Sequence, residues 1–105
     1  MVEKYNKLVR DKIPQIISEK GDCPKVALLD DAQFEVMLNQ KLQEEVAEYF
    51  ENYDVDELAD IMEVIYALAQ RKGVTKNDLE HIRANKFAER GGFNDKVLLI
   101  EVNRS

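Results

Sequence analysis

Apolar residues recur at helical spacing over most of the chain, and this periodicity predicts two long helices. The first covers residues 30–51 and opens with Asp30 and Gln33 at the spacing of a capping box. The second covers residues 55–72. The break at residues 52–53 is short, so the second helix should turn back antiparallel to the first.

The rest of the sequence predicts shorter elements. Residues 11–20 predict a short helix, and residues 75–90 predict a last helix before a pair of glycines. The apolar runs at residues 25–29 and 96–102 are candidate strands that could pair with each other. The expected fold is mainly α: one domain, residues 1–105, in which a helical bundle is built around the hairpin and carries a short two-stranded β appendage.

Each long helix has an acidic residue in its apolar stripe. The stripe positions are Phe34, Leu38, Leu42, Glu45 and Tyr49 in the first helix, and Glu57, Ile61, Val64 and Leu68 in the second. In an antiparallel pair, residues equidistant from the turn lie at the same height, since each residue rises about 1.5 Å. Residues three apart also share a helix face. Four carboxylates are therefore predicted to converge beside the turn: Glu45, Glu48, Glu57 and Asp60.

Four converging carboxylates must either take up protons or bind a cation. An all-oxygen set suits Mg²⁺, or Mn²⁺ in its place, whereas zinc is disfavoured because no histidine or cysteine lies in the cluster. Each acid also has an ordinary interpretation. Glu57 can serve as the N3 acid of a capping box with Asp54, and the acids at positions 44, 45 and 48 can form a solvated face that pairs with Lys41.

Composition narrows the class of protein. The net charge is −6, with 21 acidic against 15 basic residues, which argues against a broad nucleic-acid surface. No apolar run is long enough for a membrane span, and a lone cysteine cannot form an internal disulfide, so a cytoplasmic domain is expected. The second helix is apolar around most of its circumference. A short chain has few elements to cover it, so we expect a homodimer or homotetramer.

Basic residues that suit phosphate oxygens occur in two places. The sets are Lys7, Arg10 and Lys12 near the N-terminus, and Arg83, Lys86 and Arg90 on one face of the last helix. The second face lies between Ile82 and Phe87 and is expected to tilt toward the core. The ordinary interpretation is a set of surface salt bridges with Glu80 or Glu89.

These motifs together resemble a known family. The acidic pairs at 45/48 and 57/60, the opening YNKLVRDKIPQII and the late ANKFAERGGF are similar to the all-α nucleoside triphosphate pyrophosphohydrolases. That superfamily includes MazG-type enzymes, dimeric dUTPases and phosphoribosyl-ATP pyrophosphohydrolase. The resemblance is greatest to the compact phosphoribosyl-ATP pyrophosphohydrolase-like branch and covers nearly the whole chain.

The resemblance implies a house-cleaning hydrolase that cleaves nucleoside triphosphates, including non-canonical ones, between the α- and β-phosphates. It implies that the four acids hold Mg²⁺ and that Asn85, Lys86 and Arg90 lie near the phosphates. Glu45 or Glu48 would take a proton from the attacking water. Two alternatives stay open: phosphoribosyl-ATP as the substrate, and a non-catalytic oligomeric helical module that uses its acids for structure.

Overall fold

The computed structural model describes residues 1–105 and contains four helices and no strand. The helices are α1 (Ile13–Glu19), α2 (Asp31–Asn52), α3 (Val55–Arg71) and α4 (Lys76–Arg90). Helices α2 and α3 pack closely as a hairpin, α4 packs against α3, and α1 has no close helix neighbour. The predicted mainly-α class and the helix hairpin are confirmed.

Side-chain caps fix where α2 and α4 begin. Asp30 accepts a hydrogen bond from the Gln33 amide at 2.8 Å, and the Gln33 side chain accepts one from the Asp30 amide at 3.3 Å. Thr75 and Asp78 form the same reciprocal pair at 3.1 and 3.2 Å. Both capping boxes satisfy amides that have no partner inside the helix. The predicted starts of these two helices are therefore confirmed.

A tight turn joins α2 to α3. Tyr53 has a left-handed conformation, with φ of 52°, and its amide donates to the Tyr49 carbonyl. Asp54 then becomes extended and caps α3 by accepting a hydrogen bond from the Asp56 amide at 3.3 Å. Because only these two residues separate the helices, α3 reverses directly onto α2, as the sequence predicts.

The buried core lies between α2 and α3 and is small. Only Leu38, Glu45 and Val64 are buried, and the other stripe residues are half-buried. Leu38 and Val64 therefore carry the tightest packing between the two helices. Glu45, at 7 % exposure, shares this interior with them, so a carboxylate does occupy a core position.

The predicted β appendage is wrong for a single chain. Residues 25–29 and 96–102 form no strand, and no backbone hydrogen bond joins the two segments. A run of aliphatic residues indicates that a segment suits a strand, but a strand also needs a partner within reach. Here each segment follows the end of a different helix, and neither reaches the other.

The chain is much less compact than its length predicts. Its radius of gyration is 18.8 Å, whereas a compact domain of this length has about 13 Å. Its accessible surface is 9858 Å², about 3,800 Å² more than the scaling law for monomeric proteins gives for 12.2 kDa. Many large apolar side chains are exposed on the hairpin and on both terminal segments. None of the helices has the combined length and apolarity that a membrane span requires.

Candidate functional site

Three of the four predicted carboxylates meet between α2 and α3. Glu45, Glu57 and Asp60 each offer a carboxylate oxygen, and these atoms lie within 4.8 Å of one another. Glu45 comes from α2, and the other two lie one turn apart near the start of α3. Glu48 lies outside this group but is half-buried on α2, one turn after Glu45. The equal heights that follow from the turn have brought the two helices' acids together as predicted.

The environment of Glu45 favours its neutral form. Burial raises the pKa of the Glu45 carboxyl, and the negative charges of Glu48 and Asp60 raise it further. Lys41, four residues earlier on the same helix, lies 3.4 Å from Glu45 Oε1 and partly offsets the increase. Glu48 therefore belongs to the electrostatic environment of the cluster although it is not among its closest atoms.

The cluster has unsatisfied acceptors that suit a hard cation. Glu45 Oε2 and Glu57 Oε2 are both buried without a hydrogen-bond partner. The capping-box interpretation of Glu57 is not realised, since the side chain of Asp54 accepts from the Asp56 amide and no Glu57 oxygen accepts from Asp54. Buried carboxylate oxygens without donors are costly, and an oxygen-only set matches Mg²⁺ or Mn²⁺. The residues fit such an ion.

Basic side chains from the N-terminal segment reach the same place. Arg10 donates a hydrogen bond to Asp60 Oδ1 at 2.7 Å, although the two residues are far apart in sequence. Lys7 contacts Glu44 at 3.2 Å. Arg10 thus partly neutralises the exposed side of the cluster, whereas the buried oxygens of the other two acids stay unpaired.

A cleft of about 920 Å³ opens beside the carboxylates. Its walls come from the N-terminal segment, from α2 and α3, and from the loop that leads into α4. Glu45, Asp60, Arg10 and Lys41 line one part of it, and the rest is largely apolar. Its volume falls in the range of small-molecule sites, so a nucleotide-sized ligand would fit beside the acids.

Comparisons with known proteins identify no family. An uncharacterised protein from Mycolicibacterium smegmatis is 46 % identical over 41 residues, which is 39 % of this chain and 42 % of that protein. The aligned region thus spans less than half of the relative's length. No protein-family profile matches the chain, and no solved structure matches it. The resemblance to the all-α pyrophosphohydrolases stays a prediction.

The basic residues of α4 are not brought to the cleft within one chain. Arg83 pairs with Glu80 on the same helix, donating from Nε at 2.9 Å, which is the ordinary interpretation of that residue. Asn85, Lys86 and Arg90 are exposed and do not line the cleft. The expected tilt of this face toward the core is wrong, because all residues from 80 to 90 are exposed. Helix α4 packs on α3 alone, and nothing in the same chain covers its outer face.

Two basic residues that line the cleft were not predicted from the sequence to bind phosphate. Lys41 appears there only as a salt-bridge partner, yet its side chain is mostly buried between Glu45 and the cleft. Lys76, the first residue of α4, lines the cleft with its ammonium 4.8 Å from the centre of the Tyr66 ring. The i,i+4 spacing from Lys41 to Glu45 could have indicated that Lys41 lies at the site. The position of Lys76 could not be predicted in this way, because it depends on how α4 packs back against α3. Lys12 remains exposed beside α1, outside the cleft.

Replacing Arg10 by alanine should increase the affinity for Mg²⁺. The guanidinium occupies an oxygen of Asp60 that a cation would use, and both side chains are about half exposed. Exposed pairs of this kind contribute about 0.2–1 kcal/mol, so Mg²⁺ binding should tighten up to about fivefold. Isothermal titration with Mg²⁺ measures the change, with Lys4→Ala as the control because Lys4 is exposed and unpaired. Weaker Mg²⁺ binding in Arg10→Ala would contradict this assignment of Asp60.

Replacing Glu45 by glutamine should stabilise the metal-free protein at pH 7. The folded state raises the pKa of Glu45 above its ordinary 4.5, so the ionised form is disfavoured there. The protonated Glu45 carboxyl contributes to stability at pH values below the unfolded-state pKa. This contribution is lost as the pH rises through the folded-state pKa. Glutamine removes that loss and should add on the order of 0.5–2 kcal/mol at pH 7.

Thermal unfolding in EDTA tests this expectation. The advantage of Glu45→Gln over the unchanged protein should shrink as pH falls toward 4, where Glu45 is protonated in both states. Glu51→Gln, the same change at an exposed position of α2, should alter the melting temperature little at either pH. A lower melting temperature for Glu45→Gln at pH 7 would show that the ionised carboxylate stabilises the fold.

Proposed function

We propose that this protein is a Mg²⁺-dependent nucleotide pyrophosphohydrolase, with Mn²⁺ as an alternative ion. It cleaves a nucleoside triphosphate, including non-canonical ones, between the α- and β-phosphates to a monophosphate and pyrophosphate. One observation carries the proposal: two buried, unpaired carboxylate oxygens lie in a three-carboxylate cluster beside a nucleotide-sized cleft. A site of this composition suits an ion that is shared between protein oxygens and substrate phosphates.

The carboxylates would have two roles: they would bind the metal ion, and one of them would accept the proton of the attacking water. Glu45, Glu57 and Asp60 would hold the ion, and Glu48 would complete the set from the next turn of α2. The bound ion supplies charge neutralisation at the phosphates and acidifies the attacking water. Glu45 or Glu48 accepts the proton of that water. In the metal-free protein, burial keeps the pKa of Glu45 above its ordinary value.

Cations that line the cleft would orient the polyphosphate. Arg10 already bonds Asp60 at the edge of the cluster, so it can turn to a phosphate oxygen when the acids are neutralised. Lys41 and Lys76 place ammonium groups along the same cleft. Lys7 does not line the cleft but directly precedes Leu8, which does, and it is paired with Glu44. Charge developing on the leaving pyrophosphate would be stabilised by these fixed cations.

Pyrophosphate release from a nucleotide panel tests the proposal. The panel contains canonical and modified NTPs and dNTPs together with phosphoribosyl-ATP, each with Mg²⁺ and with EDTA. Metal-dependent release from one subset is the expected result and identifies the substrate class. Release from phosphoribosyl-ATP alone would favour the narrower alternative, a phosphoribosyl-ATP pyrophosphohydrolase. No release from any member by folded protein would reject the proposal for these substrates.

A second candidate function is a non-catalytic helical module that self-associates as a homodimer or homotetramer. The observation that favours it is the large excess of accessible surface, together with the exposed apolar side chains. Self-association is also compatible with the enzyme. Thermal stability separates the two functions, because the enzyme should be stabilised by Mg²⁺ together with a nucleotide, whereas the module should respond to neither.

A further inference from the structure

The segment from Val97 to Val102 is apolar and has no partner in its own chain. Leu98, Ile100 and Val102 are 82 %, 83 % and 52 % exposed, and Val97 and Leu99 are similarly uncovered. No backbone hydrogen bond within the chain involves residues 97–105. Aliphatic residues of this kind prefer strands, and a strand places Leu98, Ile100 and Val102 on one face. The segment thus has both the composition and the free backbone groups of an unpaired strand.

A second segment of the same kind lies between α1 and α2. In residues 25–29, Val26 is 62 % and Leu28 is 98 % exposed. Backbone hydrogen bonds within the chain are also absent from this segment. The two segments have similar lengths and are both rich in aliphatic residues, yet they form no strand pair in one molecule.

We propose that residues 97–102 pair as a strand with residues 25–29 of a second copy of this chain. In a two-fold dimer the exchange is reciprocal, so each copy gives one segment and receives the other. Each segment then pairs the backbone groups along one edge and brings its apolar side chains against those of the partner strand, whereas the single chain leaves both in water. The pairing seen in the sequence pattern is therefore intermolecular.

The area and the core both identify the occupant as a second copy. The surface excess of about 3,800 Å² per chain exceeds the roughly 800 Å² per partner that a stable interface needs. Only three residues are buried, which is a small core for a chain of 105 residues. A second copy of the chain is also available in equal amount wherever the protein is present.

Sedimentation equilibrium of the full chain tests the pairing. The unchanged protein should be a dimer or larger at micromolar concentration. The double variant Leu98→Lys/Ile100→Lys and the single variant Leu28→Lys should each weaken association at least about tenfold, because they bring charges into the apolar pairing. Asn103→Lys adds the same charge just beyond the segment and should leave association unchanged. Circular dichroism checks that each variant keeps its helices.

Amide hydrogen exchange gives a second measurement that needs no variant. Amides of residues 97–102 and 25–29 should be protected at high protein concentration and should exchange faster on dilution. A monomeric unchanged protein would overturn the inference and the proposed self-association together. A stable oligomer with both segments unprotected would overturn the pairing alone. This inference extends the proposed self-association and is separate from catalysis, since pyrophosphate release can fail while the dimer forms.

Discussion

Glu57→Gln is expected to reduce Mg²⁺-dependent pyrophosphate release by about 100-fold or more at saturating nucleotide. Glu57 Oε2 is buried and unpaired, and it lies in the group of oxygens that meet within 4.8 Å. Glutamine keeps the shape of the side chain but removes the charge that holds a cation. Because the removed charge repels Glu45 and Asp60, the metal-free variant should melt no lower than the unchanged protein.

Two measurements separate loss of the site from loss of the fold. Pyrophosphate release is followed as Mg²⁺ is titrated, and thermal unfolding is followed in EDTA. Glu51→Gln removes an acid of equal size from an exposed position near the end of α2 and should keep its activity. Unchanged turnover of Glu57→Gln at saturating Mg²⁺ would remove Glu57 from the site.

The helices could be predicted from the sequence because their signals are local. The capping residues Asp30 and Thr75 lie beside the amides they bond, so their effect does not depend on the rest of the fold. The turn at residues 53–54 is also decided locally, by a short connection and a left-handed Tyr53. Once the turn is fixed, the height of each residue on the opposite helix follows from the helical rise.

Height alone did not decide which carboxylates meet. Glu45 and Asp60 are equidistant from the turn and do come together, as predicted. Glu48 is three residues after Glu45, so it is rotated by about 60° around the axis of α2. That rotation leaves it outside the closest group, although its charge still raises the pKa of Glu45. The sequence predicts the set of acids, whereas the crossing of the two helices selects among them.

The features that sequence reasoning missed depend on distant parts of the chain. Arg10 reaches Asp60 because the N-terminal segment lies against the hairpin. The hydrophobic periodicity of the sequence does not predict where that segment packs. The basic face of α4 was expected to turn inward, but residues 80–90 are all exposed, because α4 packs against α3 alone. The predicted pairing of the two strands was wrong for the same reason. The sequence pattern indicates which segments suit a strand, but it does not determine which segment each one pairs with.

Leu38→Ala is expected to lower the free energy of unfolding by about 2–5 kcal/mol, because it leaves a cavity between α2 and α3. Leu38 is 4 % exposed and is one of only two buried apolar residues, so few neighbours can move in to fill the space. Urea unfolding measures the change, and the midpoint should fall with little change in slope. Val36→Ala, at an exposed position two residues earlier in α2, should change stability by less than about 0.5 kcal/mol. Equal losses in both variants would show that the hairpin is not held together through Leu38, and that stability depends instead on the surface that residues such as Val36 present.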